Sequence, residues 1–383
     1  MLPHSNPYPD AALTGRIWRP GIGPALIRVD GENVIDITSA TLPTMHALLE
    51  TDDPATTLRA APGQTVCTLA DLTAASTPTA GADDLRLLAP PDLQAIKASG
   101  VTFAASMVER VIEEKAAGDP DAAEAIRARV KAVIGDSLSG IEPGSDKAMQ
   151  VKALLQAEGM WSQYLEVGVG PDAEVFTKCQ PMAAIGWGAS VGLHPISKWN
   201  NPEPEIVLAI NSSGTIVGAT LGNDVNLRDV EGRSALLLGK AKDNNASCAI
   251  GPFLRLFDGA FSLNDIRRAE LSLNVTGADG FKLDGHSSMT MISRDPASIV
   301  GQTIGRHHQY PDGFFLFLGT MFAPVKDRDA PGQGFTHHAG DIVSIREDAL
   351  GDLTNSVQLS TDCPEWRFGT AALMKNLAGR GLL

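Results

Sequence analysis

Trp199-Asn200-Asn201-Pro202-Glu203-Pro204-Glu205-Ile206-Val207 and, downstream, Gly222-Asn223-Asp224 are the segments on which the reading of this chain turns. Glu203 and Glu205 stand at i and i+2, just ahead of an apolar run that ends at Ile210. A β-strand repeats its side-chain direction every second residue, so both carboxylates point the same way. The next apolar run ends at Asp224, and a hairpin return predicts that residue beside the pair. Three carboxylates in one place repel strongly unless a cation joins them. A hard divalent metal with open positions for a substrate is the simplest reason to build such a cluster. Glu-x-Glu on a strand is more often a solvated face, because carboxylates are mostly exposed. Two features argue against that here. Ile206 to Ile210 reads as a buried strand, and Asn223-Asp224 sits between a glycine and a valine rather than in a charged run.

The chain has 383 residues, enough for one large or two ordinary domains and a substantial core. Charged residues make up 20% and hydrophobic ones 43%, the balance of a soluble globular protein. A net charge of -14 argues against nonspecific nucleic-acid binding and requires a local basic pocket for any anionic substrate. Cys67, Cys179, Cys248 and Cys363 lie far apart, which suits a reducing cytosol and gives neither a disulfide framework nor a zinc site. Met1-Leu2-Pro3-His4-Ser5 does not read as a secretory signal, and no apolar run approaches membrane-span length.

The pattern predicts an α+β protein. Residues 1–90 read as a small N-terminal α+β domain, with strands Ala25 to Val29 and Asn33 to Thr38 around Asp30-Gly31 and a short helix from Pro43 to Glu50. Pro90-Pro91 marks its boundary with a larger second domain over 91–383. Helices are predicted over Ser106 to Ala117, Pro120 to Ile134 and Asp146 to Glu158, covering a site or a partner subunit. From about residue 161 the pattern changes to short strands: Glu205–Ile210, Thr215–Leu221, Ala269–Val275, Gly313–Leu318 and Asp341–Ile345.

Outside the three carboxylates the signals are weaker. Lys242 precedes Cys248-Ala249-Ile250-Gly251-Pro252, and near a carboxylate cluster it would balance charge or bind a keto-acid carboxylate. Lys178 ends the apolar segment Phe176-Thr177-Lys178, and Thr320 follows the most apolar strand. His307-His308 and His337-His338 are adjacent pairs whose members point to opposite faces of a strand, so neither pair readily binds one metal. No phosphate-cradling glycine pattern and no Gly-x-Ser-x-Gly elbow is present.

These segments together resemble the fumarylacetoacetate hydrolase superfamily, in particular its branch of sugar-acid dehydratases. The resemblance is carried by Gly100-Val101-Thr102-Phe103, Phe176-Thr177-Lys178, Trp199-Asn200-x-Pro202-Glu203-Pro204-Glu205 and Gly222-Asn223-Asp224-Val225-x-x-Arg228-Asp229-x-Glu231-Gly232. Lys242 through Gly251-Pro252, Gly319-Thr320 and Gly340-Asp341-Ile342-Val343 follow in the same order. It implies a mixed β-sandwich or β-roll catalytic domain with a helical lid. It implies Mg²⁺ or Mn²⁺ on Glu203, Glu205 and Asp224, Lys242 against the metal site, and Lys178 and Thr320 at the substrate. It also implies a homodimer or homotetramer.

Hydrolytic and decarboxylating relatives carry Tyr-x-x-His-x-x-Glu on the lid, where this chain has Phe103-Ala104-Ala105-Ser106-Met107-Val108-Glu109. Ser106 replaces the histidine and becomes a substrate contact, while Glu109 keeps the acid. Without the imidazole, water activation loses its base, and proton transfer by a carboxylate remains. The expectation is therefore dehydration of a 2-keto-3-deoxy sugar acid, with Glu109 moving protons. Lys242 is the alternative base if burial depresses its pKa. A metal-dependent hydrolase or decarboxylase of a 2,4-diketo acid is the competing reading. Neither reading involves nucleic acid or membrane.

Overall fold

A computed structural model of the chain describes residues 8, 10–103, 141–157, 159, 161–320, 322, 324, 326–330 and 334–383. The helices expected over Ser106 to Ala117 and Pro120 to Ile134 lie outside those residues. The third, expected from Asp146, is a helix over Asp146–Ala157.

Two sheets carry the described fold, which is mixed α+β and dominated by strands. The early strands are β1 (Leu13–Arg19), β2 (Gly23–Asp30), β3 (Asn33–Asp36), β4 (Gln64–Thr68), β5 (Arg86–Leu88) and β6 (Ala95–Ser99). The middle ones are β7 (Val175–Cys179), β8 (Ser190–Leu193), β9 (Pro204–Ile210), β10 (Ile216–Asp224) and β11 (Cys248–Leu256). β12 (Glu270–Thr276), β13 (Lys282–Ser288), β14 (Phe314–Phe317), β15 (Ile342–Glu347) and β16 (Gly351–Leu359) complete them. The larger sheet runs β4-β3-β2-β1-β11-β10-β9-β14-β6-β7, with β5 also bonded to β1, and the smaller one β13-β12-β15-β16-β8. The boundary read at Pro90-Pro91 falls between β5 and β6 of the larger sheet.

Local chemistry explains the elements. Asp30 and Gly31 turn β2 into β3, and Gly31 takes a φ of +57° that glycine accepts without a Cβ penalty. Thr44 caps the helix Met45–Leu49 by accepting a hydrogen bond from the Ala47 amide.

β9 and β10 lie in the middle of the larger sheet and are covered on both sides. Leu208, Ile210, Ala219 and Leu221 pack with Leu273, Val343, Ile345 and Leu353 of the smaller sheet. Val207 and Ala209 join Met45, Leu48, Leu58 and Phe317 in a second core on the opposite face. A strand buried on both faces shows no alternation, so β9 reads as a continuous apolar run.

Packing around the β9–β10 hairpin leaves no space at Gly222, which sits opposite Glu205. A Cβ there would lie 2.2 Å from Phe317 Cε1 and 2.5 Å from Val207 Cγ2. Gly222→Ala is expected to lower stability by about 1–3 kcal/mol or more through overpacking, measured by urea unfolding. A variant as stable as the parent would show that these strands do not approach so closely.

Candidate functional site

The end of the larger sheet where β9 begins gathers several chain segments. β14 runs parallel to β6 and antiparallel to β9, and β9 is antiparallel to β10. The C-terminal ends of β6, β14 and β10 therefore meet the N-terminal start of β9. Glu203, Glu205 and Asp224 emerge there, each no more than 3% exposed. Each offers a carboxylate oxygen, and these atoms all lie within 4.8 Å of one another. The hairpin register makes this so: Gly222 faces Glu205, and the Asp224 amide donates to the Glu203 carbonyl at 3.0 Å.

Donors hold the three carboxylates in different ways. Glu205 Oε2 accepts from the Gly319 amide at 2.7 Å. Gly319 has a φ of +95°, and a Cβ there would stand 2.1 Å from Thr102 Oγ1, so glycine is required for that amide to reach in. Lys242 Nζ donates to Glu203 Oε2 at 2.5 Å and to Asp224 Oδ2 at 3.1 Å. Asn226 Nδ2 donates to Glu203 Oε1 at 3.0 Å. Asp224 Oδ1 lies 2.8 Å from Lys178 Nζ as a buried ion pair.

Burial first, then the neighbouring Asp224 and Glu203 charges, push the Glu205 carboxyl well above the ordinary carboxylate range. For Asp224 burial acts the same way, but Lys178 and Lys242 outweigh it and hold its pKa below the ordinary value. Burial would lower Lys242, yet Asp224, Glu203 and Glu231 outweigh it and raise its pKa. The condition for Lys242 to serve as a base, a pKa depressed by burial, is therefore not met among these carboxylates.

The donor set fits a hard divalent cation. It is all oxygen, it is buried, and two lysines do not balance three carboxylates. A cation would replace the proton that burial and repulsion otherwise drive onto Glu205.

The carboxylates and Lys242 face a cleft of about 460 Å³ counting its open mouth. Ser99, Gly100 and Val101 form one wall at the end of β6, and Thr320 follows β14 beside them. Val101 has a φ of +53°, an outlier for a β-branched residue and a form of strain that clusters at ligand sites. Tyr164, Glu174, Phe176 and Glu231 close the other sides.

The structure thus brings Glu203, Glu205, Asp224, Lys242 and Thr320 to one cleft. Ser106 and Glu109 lie outside the described residues. Lys178, expected at the substrate, is fully buried beneath Asp224, where its ammonium also donates to the carbonyls of Val225 and Lys242. Glu174 and Tyr164 were not singled out in the sequence. Glu174 had a legible signal, since it shares strand parity with Phe176 and Lys178. Glu231 stood within a motif without a role of its own.

No family model matches the chain. A Haloferax volcanii protein named "Probable 2-keto-3-deoxyxylonate dehydratase" is 29% identical over 202 residues, which is 53% of this chain and 66% of that one. The 2-dehydro-3-deoxy-D-arabinonate dehydratase of Saccharolobus solfataricus is 27% identical over 185 residues, 48% of this chain and 58% of its own. The match thus spans less than two thirds of either relative. The fold is similar to the solved structure of a 2-keto-3-deoxy-D-arabinonate dehydratase complexed with magnesium and 2,5-dioxopentanoate. Its TM-score is 0.62 at 20% identity, covering 91% of this chain and 99% of that one. The resemblance to sugar-acid dehydratases, first carried by a handful of motifs, is borne out by these two sequence matches, and the fold is one that a protein of that name also has.

Proposed function

We propose that the protein is a Mg²⁺-dependent hydro-lyase that dehydrates a 2-keto-3-deoxy pentonate, the xylonate or the arabinonate, to 2-oxoglutarate semialdehyde. The observation that carries this reading is the cluster of Glu203, Glu205 and Asp224 facing a cleft beside Lys242. The names of the two similar dehydratases support the substrate class, and the magnesium and dioxopentanoate held by the structural neighbour support the metal and the product.

Mg²⁺, when bound by the three carboxylates, supplies the Lewis acidity that makes the C3 protons of a 2-keto acid removable. Lys242, kept charged by its carboxylate neighbours, offsets the acidic surface and attracts the substrate carboxylate. Lys178 acts from beneath, holding Asp224 ionised and in place. Proton removal at C3, departure of the C4 hydroxyl as water, and the proton shift from C5 that turns the resulting unsaturated keto acid into the semialdehyde need a carboxyl group at the cleft. Glu109 has that role in this reading. Glu174 offers the same chemistry from the cleft wall, where its Oε2 lies 1.9 Å from the position of a Cβ on Gly100. Thr320, at the end of β14, and Ser106 are the remaining substrate contacts in this reading.

Four free cysteines support a cytosolic location, and among the described residues no helix is long and apolar enough to cross a membrane. Assembly as a homodimer or homotetramer belongs to the same reading.

Chelator treatment is expected to remove semialdehyde formation from 2-keto-3-deoxy-xylonate or -arabinonate, and Mg²⁺ to restore it. Turnover indifferent to metal, or acid release from a 2,4-diketo acid with no semialdehyde from either pentonate, would overturn the proposal.

A further inference from the structure

We infer that Asn226 is the positioning residue of the carboxylate cluster, spanning Glu203 and Glu231 with a single amide group. The inference rests on the metal-dependent reading above.

Asn226 lies two residues beyond the end of β10 and is fully buried. Its backbone exchanges two hydrogen bonds of 3.1 Å with Asn201, so it is tied to the segment that leads into Glu203. Its Nδ2 lies 3.0 Å from Glu203 Oε1 and 2.5 Å from Glu231 Oε2. Ionised carboxylates only accept hydrogen bonds, so the amino end of the amide must face both of them. The amino group carries two hydrogens, one for each carboxylate.

Few side chains could replace it. Serine has one donor and cannot serve both acids. Aspartate has none when ionised. Glutamine places its amide one methylene too far from a backbone already fixed by Asn201.

The consequence falls on Glu203. Asn226 holds Oε1 and Lys242 holds Oε2, so the carboxylate is fixed at both oxygens. The same amide keeps Glu231, a cleft residue, close to Glu203 despite their like charge. Outer partners of this kind orient metal ligands, and their loss typically costs 10–100-fold in metal affinity. Glu203 remains present in every Asn226 variant, so the effect reports orientation rather than ligand count.

The test is titration calorimetry with Mn²⁺ on the parent, Asn226→Ala and Asn226→Ser, beside melting curves of the metal-free proteins. The dissociation constant is expected to rise about 10–100-fold in Asn226→Ala. Asn226→Ser should fall between the two, with a metal-free melting temperature close to the parent's. Mn²⁺ binding unchanged in both variants would overturn the inference. So would a serine variant that binds as tightly as the parent, because one hydroxyl cannot span two carboxylates. Failure of both variants to fold would make Asn226 a structural residue and overturn it too. A parent that binds no Mn²⁺ would instead bring down the functional reading itself.

Discussion

Glu205→Gln is expected to abolish metal-dependent turnover while making the metal-free protein more stable. Glu205 is buried, and Asp224 and Glu203 face it with like charge. Glutamine keeps the shape and an oxygen to accept from the Gly319 amide, now seen at 2.7 Å. It removes the charge that burial and repulsion disfavour. The loss of one anionic ligand is worth several kcal/mol of transition-state stabilisation, so turnover should fall about 10³-fold. The metal-free melting temperature at neutral pH should rise by on the order of a few °C. The sign follows from linkage. A carboxyl whose pKa is raised on folding contributes stability that is full below its unfolded pKa and lost as pH climbs through the folded one. The metal-free parent should therefore lose stability with rising pH above the ordinary carboxylate range, and Glu205→Gln should flatten that slope. Scanning calorimetry across pH with chelator, alongside the turnover assay, checks both halves. A less stable glutamine variant would show that Glu205 is held by attractive contacts rather than strained by repulsion.

Asp224→Ala is expected to damage the fold as well as the chemistry. Asp224 faces two buried lysines, Lys178 at 2.8 Å and Lys242 at 3.1 Å. Lys178 is fully buried, and its ammonium otherwise touches backbone carbonyls. Removing one partner of a buried ion pair leaves an uncompensated charge and typically costs about 3–5 kcal/mol. Asp224→Asn retains the shape and an accepting oxygen, so it should lose less stability while still losing turnover. Urea unfolding of both variants measures the difference. An alanine variant as stable as the parent would mean that Asp224 does not hold Lys178. Glu205, not Asp224, is thus the residue whose replacement separates metal binding from folding.

The β9–β10 hairpin and its three carboxylates were legible because a strand's two-residue period and a short return are local rules. Residues 205–210 and 215–221 were read as strands within a few residues of Pro204–Ile210 and Ile216–Asp224. The cleft wall was not legible. Ser99 and Thr320 meet because β6 and β14 pair in parallel, and such pairing leaves no turn signal between its strands. Lys178 shows a different limit. Strand parity gives the direction of a side chain but not its depth, and beneath Asp224 its ammonium is already engaged. Lys242 shows a third limit. Position alone favoured a solvent lysine, its burial entered only as a condition for a base, and the sign of its pKa shift depends on how many carboxylates surround it.

All three proposed metal ligands ride on one hairpin between residues 203 and 224, whose strands are already hydrogen-bonded along their length. Loop-closure entropy grows with the length of chain a cross-link encloses. An ion held here closes almost no loop that the hairpin has not closed already. It therefore does not staple remote parts of the chain together, and its departure gives the backbone little new freedom. A cation bound here would leave and return without the sheet coming apart, unlike one in a metal site that holds a small domain together.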